Sequence, residues 1–176
     1  MIIKQGASME NDSHRTAMNR SRLSAPMSWL LSAGHLNMTS ILDYGSGKGY
    51  DANWLRLHGR PIEPSSVADF DPYYQPKLPN RKFDIVTCIY VLNVLPIEQE
   101  MKVINEAFSF VAPQGKLFIA VRNDILKEGE THIGTYQRRV NLDFPLLVKT
   151  RGFKIYQITD LVQEHGIDIK KELEEL

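Results

Sequence analysis

The apolar positions of this chain fall into two rhythms. Short continuous apolar runs mark strands: Ile41-Leu42-Asp43-Tyr44, Ser65–Phe70, Lys82–Ile89, Lys116–Val121 and Phe153–Ile158. The run Phe83-Asp84-Ile85-Val86-Thr87-Cys88-Ile89 has the β-branched content typical of a strand buried on both faces. Elsewhere apolar residues recur at three- and four-residue steps. Ile97, Met101, Ile104, Ala107, Phe108 and Val111 make one such stripe and predict a helix over residues 97–111. Helices are also predicted over SAPMSWLLSAGHL from Ser24, over residues 50–58 and over residues 141–150. Ser24 caps the first, Pro26 suits its first turn, and Gly34 ends it. Gly59-Arg60-Pro61 stops the second, and Pro113-Gln114-Gly115 turns the chain ahead of Lys116. Strand and helix alternate, so the expected class is α/β, a mostly parallel sheet with helices on both faces. Right-handed crossovers then bring the strand ends and their loops to one edge, where such sheets bind ligands.

With 176 residues, 43% hydrophobic and 24% charged, the chain can bury a core of its own. A flexible N-terminal arm over residues 1–23 and a single domain over 24–176 are expected. Lys plus Arg and Asp plus Glu both number 21, so bulk charge does not support binding to nucleic acid or anionic lipid. The charge is uneven, with four cations against two acids in residues 1–22 and two against six in residues 160–176. A solvated basic arm and acidic tail are the ordinary reading of that asymmetry; a basic arm near an anionic substrate is the sharper one. Cys88 is the single cysteine, which excludes an internal disulfide and a cysteine-based zinc site. The five histidines show no metal-type spacing, so no metal is expected. No apolar run approaches the roughly 18 residues of a membrane span. The start MIIKQGASME lacks the apolar core of a secretory signal. A cytoplasmic protein without membrane contact is the expectation.

The segment Asp43-Tyr44-Gly45-Ser46-Gly47-Lys48-Gly49-Tyr50 joins a predicted strand to a predicted helix. Three glycines at alternate positions leave the main chain bare, so the chain can turn tightly and a ligand can come close. The helix that follows offers free N–H groups. A phosphate-gripping loop would need Ser or Thr after Lys48, where Gly49 stands. The dinucleotide fingerprint would need a small residue at Tyr50, which argues against a nicotinamide-binding oxidoreductase. The spacing Asp-x-Gly-x-Gly-x-Gly resembles motif I of the class I S-adenosylmethionine-dependent methyltransferases. FDIVTCIYVLNVLP resembles that family's fourth-strand region, Pro113-Gln114-Gly115-Lys116-Leu117 its helix-to-fifth-strand turn, and Gly152-Phe153 the start of its sixth strand.

The resemblance implies a Rossmann-like fold with S-adenosylmethionine as cofactor. It places Gly45, Ser46, Gly47 and Gly49 against the ligand and Asp43 at its ammonium end. An acid after the second strand holds the ribose hydroxyls, as a charged acceptor can; Asp69 and Asp71 both stand there. Cys88 and Ile89 fall at the cofactor-facing end of the fourth-strand region. More narrowly, DYGSGKGYD, DPYYQP, YVLNVLP and AVRND resemble bacterial and phage methyltransferases that include a set associated with DNA phosphorothioation. That kinship implies a link to nucleic acid, which the net charge does not support. Between Asp71 and Asp84 the chain is short and carries Pro72, Pro76 and Pro79, so the family's third strand is expected to be reduced or missing.

Methyl transfer from a sulfonium is an in-line displacement that needs alignment more than acid or base chemistry. The methyl acceptor is unknown. The base-amino tetrad and the Pro-Cys nucleophile of nucleic-acid methylation are both missing after the predicted fourth-strand region. Tyr90 and Asn93 are the candidate catalytic groups at that edge. Candidate substrate residues are Arg122 and Tyr136 after the next strand, with His132 and Gln137 nearby. Arg15 and Arg22, with His14, lie in an arm that could fold over the site. Trp29 and Trp54 are expected to anchor the core. A non-catalytic module that keeps the fold and serves a partner is the alternative function.

Overall fold

The computed structural model describes residues 12–37, 40–59, 63–131 and 134–159. The apolar runs become strands β1 (Ile41–Tyr44), β2 (Val67–Phe70), β3 (Phe83–Ile89), β4 (Val111–Arg122), β7 (Leu146–Lys149) and β8 (Phe153–Ile158) of one sheet. Its order is β2-β1-β3-β4-β8-β7. The first four strands run parallel, and β8 runs antiparallel to both β4 and β7. A two-stranded ribbon, β5 (Gly129–Glu130) with β6 (Tyr136–Gln137), stands beyond the end of β4.

Alternation along each strand splits the core in two. Helices α1 (Ala25–Ser32) and α2 (Tyr50–His58) cover one face, burying Met27, Leu30, Ala52 and Leu55 against Ile41, Ile85 and Phe118. Helix α3 (Glu100–Ser109) covers the other, burying Ile104 and Ala107 against Leu42, Val86 and Leu117. Ser24 Oγ accepts the Met27 N–H at 3.3 Å and caps α1, with Pro26 in its first turn. Trp29 and Trp54 are half-buried against the α1–α2 core. The expected α/β class with a mostly parallel sheet is therefore the observed one.

Four expectations are corrected. Residues 141–150 hold β7 and not a helix; Pro145 cannot extend a helical ladder, and Leu146 and Val148 pair with β8. Phe153–Ile158 is an antiparallel strand between β4 and β7 and does not continue the parallel run. Pro113-Gln114-Gly115 does not separate helix from strand. It lies inside β4, where the pairing with β3 shifts register and Gln114 takes φ +64°. The stripe of residues 97–111 is shorter than expected, because Ile97 lies in a 3-10 turn and is 66% exposed. The third strand is missing: from Asp71 to Lys82 only an isolated Asp71–Gln75 bridge follows β2, which is the edge of the sheet. Among the described residues no helix is long and apolar enough to cross a membrane.

Candidate active site

At the end of β1 the chain leaves the sheet through Gly45-Ser46-Gly47-Lys48-Gly49. The three glycines have φ of +74°, +55° and +72°, a region costly for any residue with a Cβ. Space is also closed: a Cβ on Gly45 would lie 2.3 Å from Val91 Cγ2, and one on Gly49 2.9 Å from Asp69 Oδ2. The N–H groups of Gly45 and Ser46 donate to the Phe70 carbonyl at 2.8 and 3.0 Å, and that of Gly47 to Asp71 Oδ2 at 2.9 Å. The loop is thus stitched to the end of β2.

Beside it opens a cavity of about 510 Å³. Its walls are the loop, Asp43, Asp51, Asp71, Ile89 and Tyr90, continuing into apolar Val91, Val94 and Val103. Residues of the N-terminal segment, His14, Ala17, Met18 and Arg20, close another side. That segment is tied down by the Tyr74 hydroxyl donating to the His14 carbonyl at 3.1 Å, by His14 stacked on Tyr73, and by Lys48 Nζ donating to Asn19 Oδ1 at 2.8 Å.

Asp43 is 3% exposed, and burial pushes its carboxyl up to about 8, with the neighbouring Asp51 adding to the effect. Thr87 Oγ1 donates to Asp43 Oδ1 at 3.0 Å and works in the opposite direction. Asp51 is buried in the first turn of α2 and accepts the Ser24 N–H at 2.8 Å, joining α1 to the site. The sequence reading missed Asp51. Its signal was there, an acid in the first turn of the helix after the glycine loop, where the helix dipole favours one.

Asp69 and Asp71 part company. Asp71 lines the cavity and accepts N–H groups from Gly47, Tyr73 and Tyr74. Asp69 is not on the wall; it lies under Gly49 in an ion pair with Arg56 of α2. Ile89 reaches the cavity, whereas Cys88 does not. Alternation turns Cys88 to the α3 side, where it is fully buried and burial pushes its thiol up to about 12. Tyr90 lines the cavity with φ +63°, a strained value for a residue with a Cβ, and burial holds its phenol at about 12.

Asn93 is a correction. It is buried off the cavity wall, with Oδ1 accepting the Arg122 N–H at 2.8 Å and Nδ2 donating to the Arg138 carbonyl at 2.9 Å, so both ends serve the main chain. Arg122 is held by Asp124 and Gln137 and does not line the cavity. Tyr136 is exposed on β6, also off the wall. Arg22 faces a separate hollow beside Trp54. Arg15 is not among the residues of that wall; its Nη1 lies 4.0 Å from the place of a Cβ on Gly134, in the turn between β5 and β6. His132 lies outside the described residues.

The fold has solved counterparts. 1,6-Didemethyltoxoflavin-N1-methyltransferase of Burkholderia thailandensis is 14% identical, with 86% of this chain and 80% of that one covered at a TM-score of 0.52. Magnesium protoporphyrin IX methyltransferase of Synechocystis PCC 6803 is 16% identical, with 83% and 92% covered at a TM-score of 0.48. No curated protein matches the chain. Residues 11–167 match the family model of the methyltransferase domain, a span that takes in the sheet, both cores and the glycine loop, and the chain belongs to that family.

Proposed function

We propose that the protein transfers a methyl group from S-adenosylmethionine to an acceptor on nucleic acid. The cofactor half rests on one observation, the cavity of bare main chain with two buried carboxylates at its base. The residues present fit such a ligand. Ser46 Oγ is buried without a hydrogen-bond partner, and Asp43 and Asp51 each commit only one oxygen to a described hydrogen bond. When bound, S-adenosylmethionine supplies a methyl group already activated on a sulfonium. Asp43 and Asp51 hold the ammonium, and Asp71 takes the ribose hydroxyls because Asp69 is neutralised by Arg56. Ile89, Val91 and Val94 keep water from the reacting centre. Tyr90, protonated at neutral pH, orients the acceptor as a hydrogen-bond donor.

The nucleic-acid half is supported by the resemblance of DYGSGKGYD, DPYYQP, YVLNVLP and AVRND to bacterial and phage methyltransferases that include a phosphorothioation-associated set. With no net charge to hold a polyanion, acceptor contact relies on local groups around the cavity mouth. Calorimetry with S-adenosylmethionine and S-adenosylhomocysteine tests the first half. Binding of both is expected, and folded protein that binds neither at sub-millimolar concentration overturns it. Transfer of a labelled methyl group to a panel of DNA, RNA, protein and small acceptors tests the second. Label confined to proteins or small molecules sinks that half alone.

A further inference from the structure

An aromatic stack stands at the mouth of the cavity. Tyr73 belongs to the cavity wall and is nonetheless 62% exposed, so its ring stands at the rim. The His14 ring lies nearly parallel to it, with centroids 4.1 Å apart and 12° between the planes, and Tyr74 meets Tyr73 edge to face at 4.9 Å. Main-chain bonds hold these rings in place. Asp71 Oδ1 accepts the N–H groups of Tyr73 and Tyr74 at 2.9 and 3.0 Å. The Tyr74 hydroxyl donates to the carbonyl of His14 at 3.1 Å and fixes the turn that carries the second ring. The platform is therefore ordered before any ligand arrives, which lowers the entropic cost of stacking on it. Its exposed ring surface forgoes burial that a flat ligand would supply.

Charge decides what kind of partner suits this rim. The chain has 21 cationic and 21 acidic side chains, so it has no surplus with which to grip the many phosphates that hold a duplex. Asp43, Asp51, Asp71 and Glu106 wall the cavity, and their like charge opposes the entry of a phosphate. An uncharged base meets no such barrier. In a duplex, however, each base is stacked on both faces and paired at its edge, so it cannot reach Tyr90 on the cavity wall. Resting on the nucleic-acid reading above, we propose that the rim binds single-stranded nucleic acid, with Tyr73 stacking the base next to the one that enters the cavity. His14 lies beneath Tyr73, so that neighbouring base extends a stack already formed. Stacking needs a π-face and not a particular base, and it supplies affinity that the charge of this chain does not. Single-stranded DNA and RNA share this chemistry.

The test uses a short labelled oligonucleotide of mixed sequence, as single-stranded DNA, as single-stranded RNA and as duplex DNA. Fluorescence anisotropy follows its binding to the wild-type chain, Tyr73→Ala and Tyr73→Phe with S-adenosylhomocysteine present, and melting curves confirm that all three fold. Calorimetry gives the affinity of each for S-adenosylhomocysteine alone. The wild-type chain is expected to bind a single strand more tightly than the duplex, and the tighter of the DNA and RNA strands identifies the natural source. Tyr73→Ala weakens that strand by about 5- to 150-fold, the loss of one stacked base. Tyr73→Phe, which keeps the ring, retains the affinity, and S-adenosylhomocysteine binds all three chains alike. Unchanged strand affinity in Tyr73→Ala overturns the proposal, as does a duplex bound as tightly as the single strands. An equal loss for S-adenosylhomocysteine in Tyr73→Ala also overturns it and gives Tyr73 to the cofactor instead. A wild-type chain that binds S-adenosylhomocysteine but none of the oligonucleotides overturns the nucleic-acid reading, and one that binds neither overturns the methyltransferase reading, results distinct from each other and from those above.

Discussion

Asp43 shows how one residue carries both a cost and a function. Its carboxyl is pushed up to about 8 because it is buried beside Asp51. In an unfolded chain it titrates near the ordinary carboxylate value of roughly 4. Between those limits the folded chain holds a proton that the unfolded chain has released, so this group's contribution to stability falls as pH rises from about 4 to about 8. Asp43→Asn, neutral throughout and still able to accept from Thr87, removes that decline. Its melting temperature at pH 8 should exceed wild type by roughly 3–8 °C, with no gain near pH 4. The same change should weaken S-adenosylhomocysteine by at least about tenfold, the loss of a charged hydrogen-bond acceptor. A ligand ammonium stabilises the ionised carboxylate, so binding at pH 7 should release protons. Heats measured in two buffers of different ionisation enthalpy will differ if it does, and coincide if Asp43 does not titrate. Tyr90→Phe, which removes only the hydroxyl, should leave cofactor affinity intact and lower turnover.

At the scale of elements, the junctions matter more than the strands and helices themselves. Gly45 packs so closely on Val91 that a methyl group has no room, and its φ is already positive. Gly45→Ala should destabilise the chain by about 2 kcal/mol or more. Adding Val91→Ala should recover the steric part alone, because the φ penalty remains. Asn93 is the second junction, joining the segment after β3 to the start of β4's exit and to the stretch after β6. Asn93→Ala leaves one buried and one part-buried main-chain group without this partner and should destabilise by about 2–4 kcal/mol, with unchanged cofactor affinity in the folded fraction. Denaturant titration beside calorimetry separates that outcome from a catalytic role for Asn93. These junctions were not legible in the chain, since each joins residues far apart in sequence. The β7 segment was misread for a related reason. A short apolar stretch such as Leu146-Leu147-Val148 fits either periodicity, and only the partner β8 selects extended backbone.

The whole molecule is a sheet whose edge ends at β2, with a cavity closed partly by the chain's own N-terminal segment. A chain lacking residues 1–18 loses His14, Ala17 and Met18 from the wall but keeps Arg20 and the cap of α1. It should melt cooperatively, as both cores are intact, and bind S-adenosylhomocysteine less tightly than the full chain. Undiminished affinity would mean that the segment does not contribute to the site. The glycine loop, the strand-helix alternation, the acid at Asp43 and the missing third strand were determined by the sequence alone. Each depends on local backbone physics: glycine's access to positive φ, proline's exclusion from helices, and the periods of two and 3.6 residues. The choice of Asp71 over Asp69 at the cavity, the retreat of Cys88 and Asn93 from it, and the arrival of Asp51 and Arg20 were decided by tertiary structure. All of these turn on which face a side chain takes and which distant group neutralises it, and a linear pattern encodes neither before the sheet has assembled.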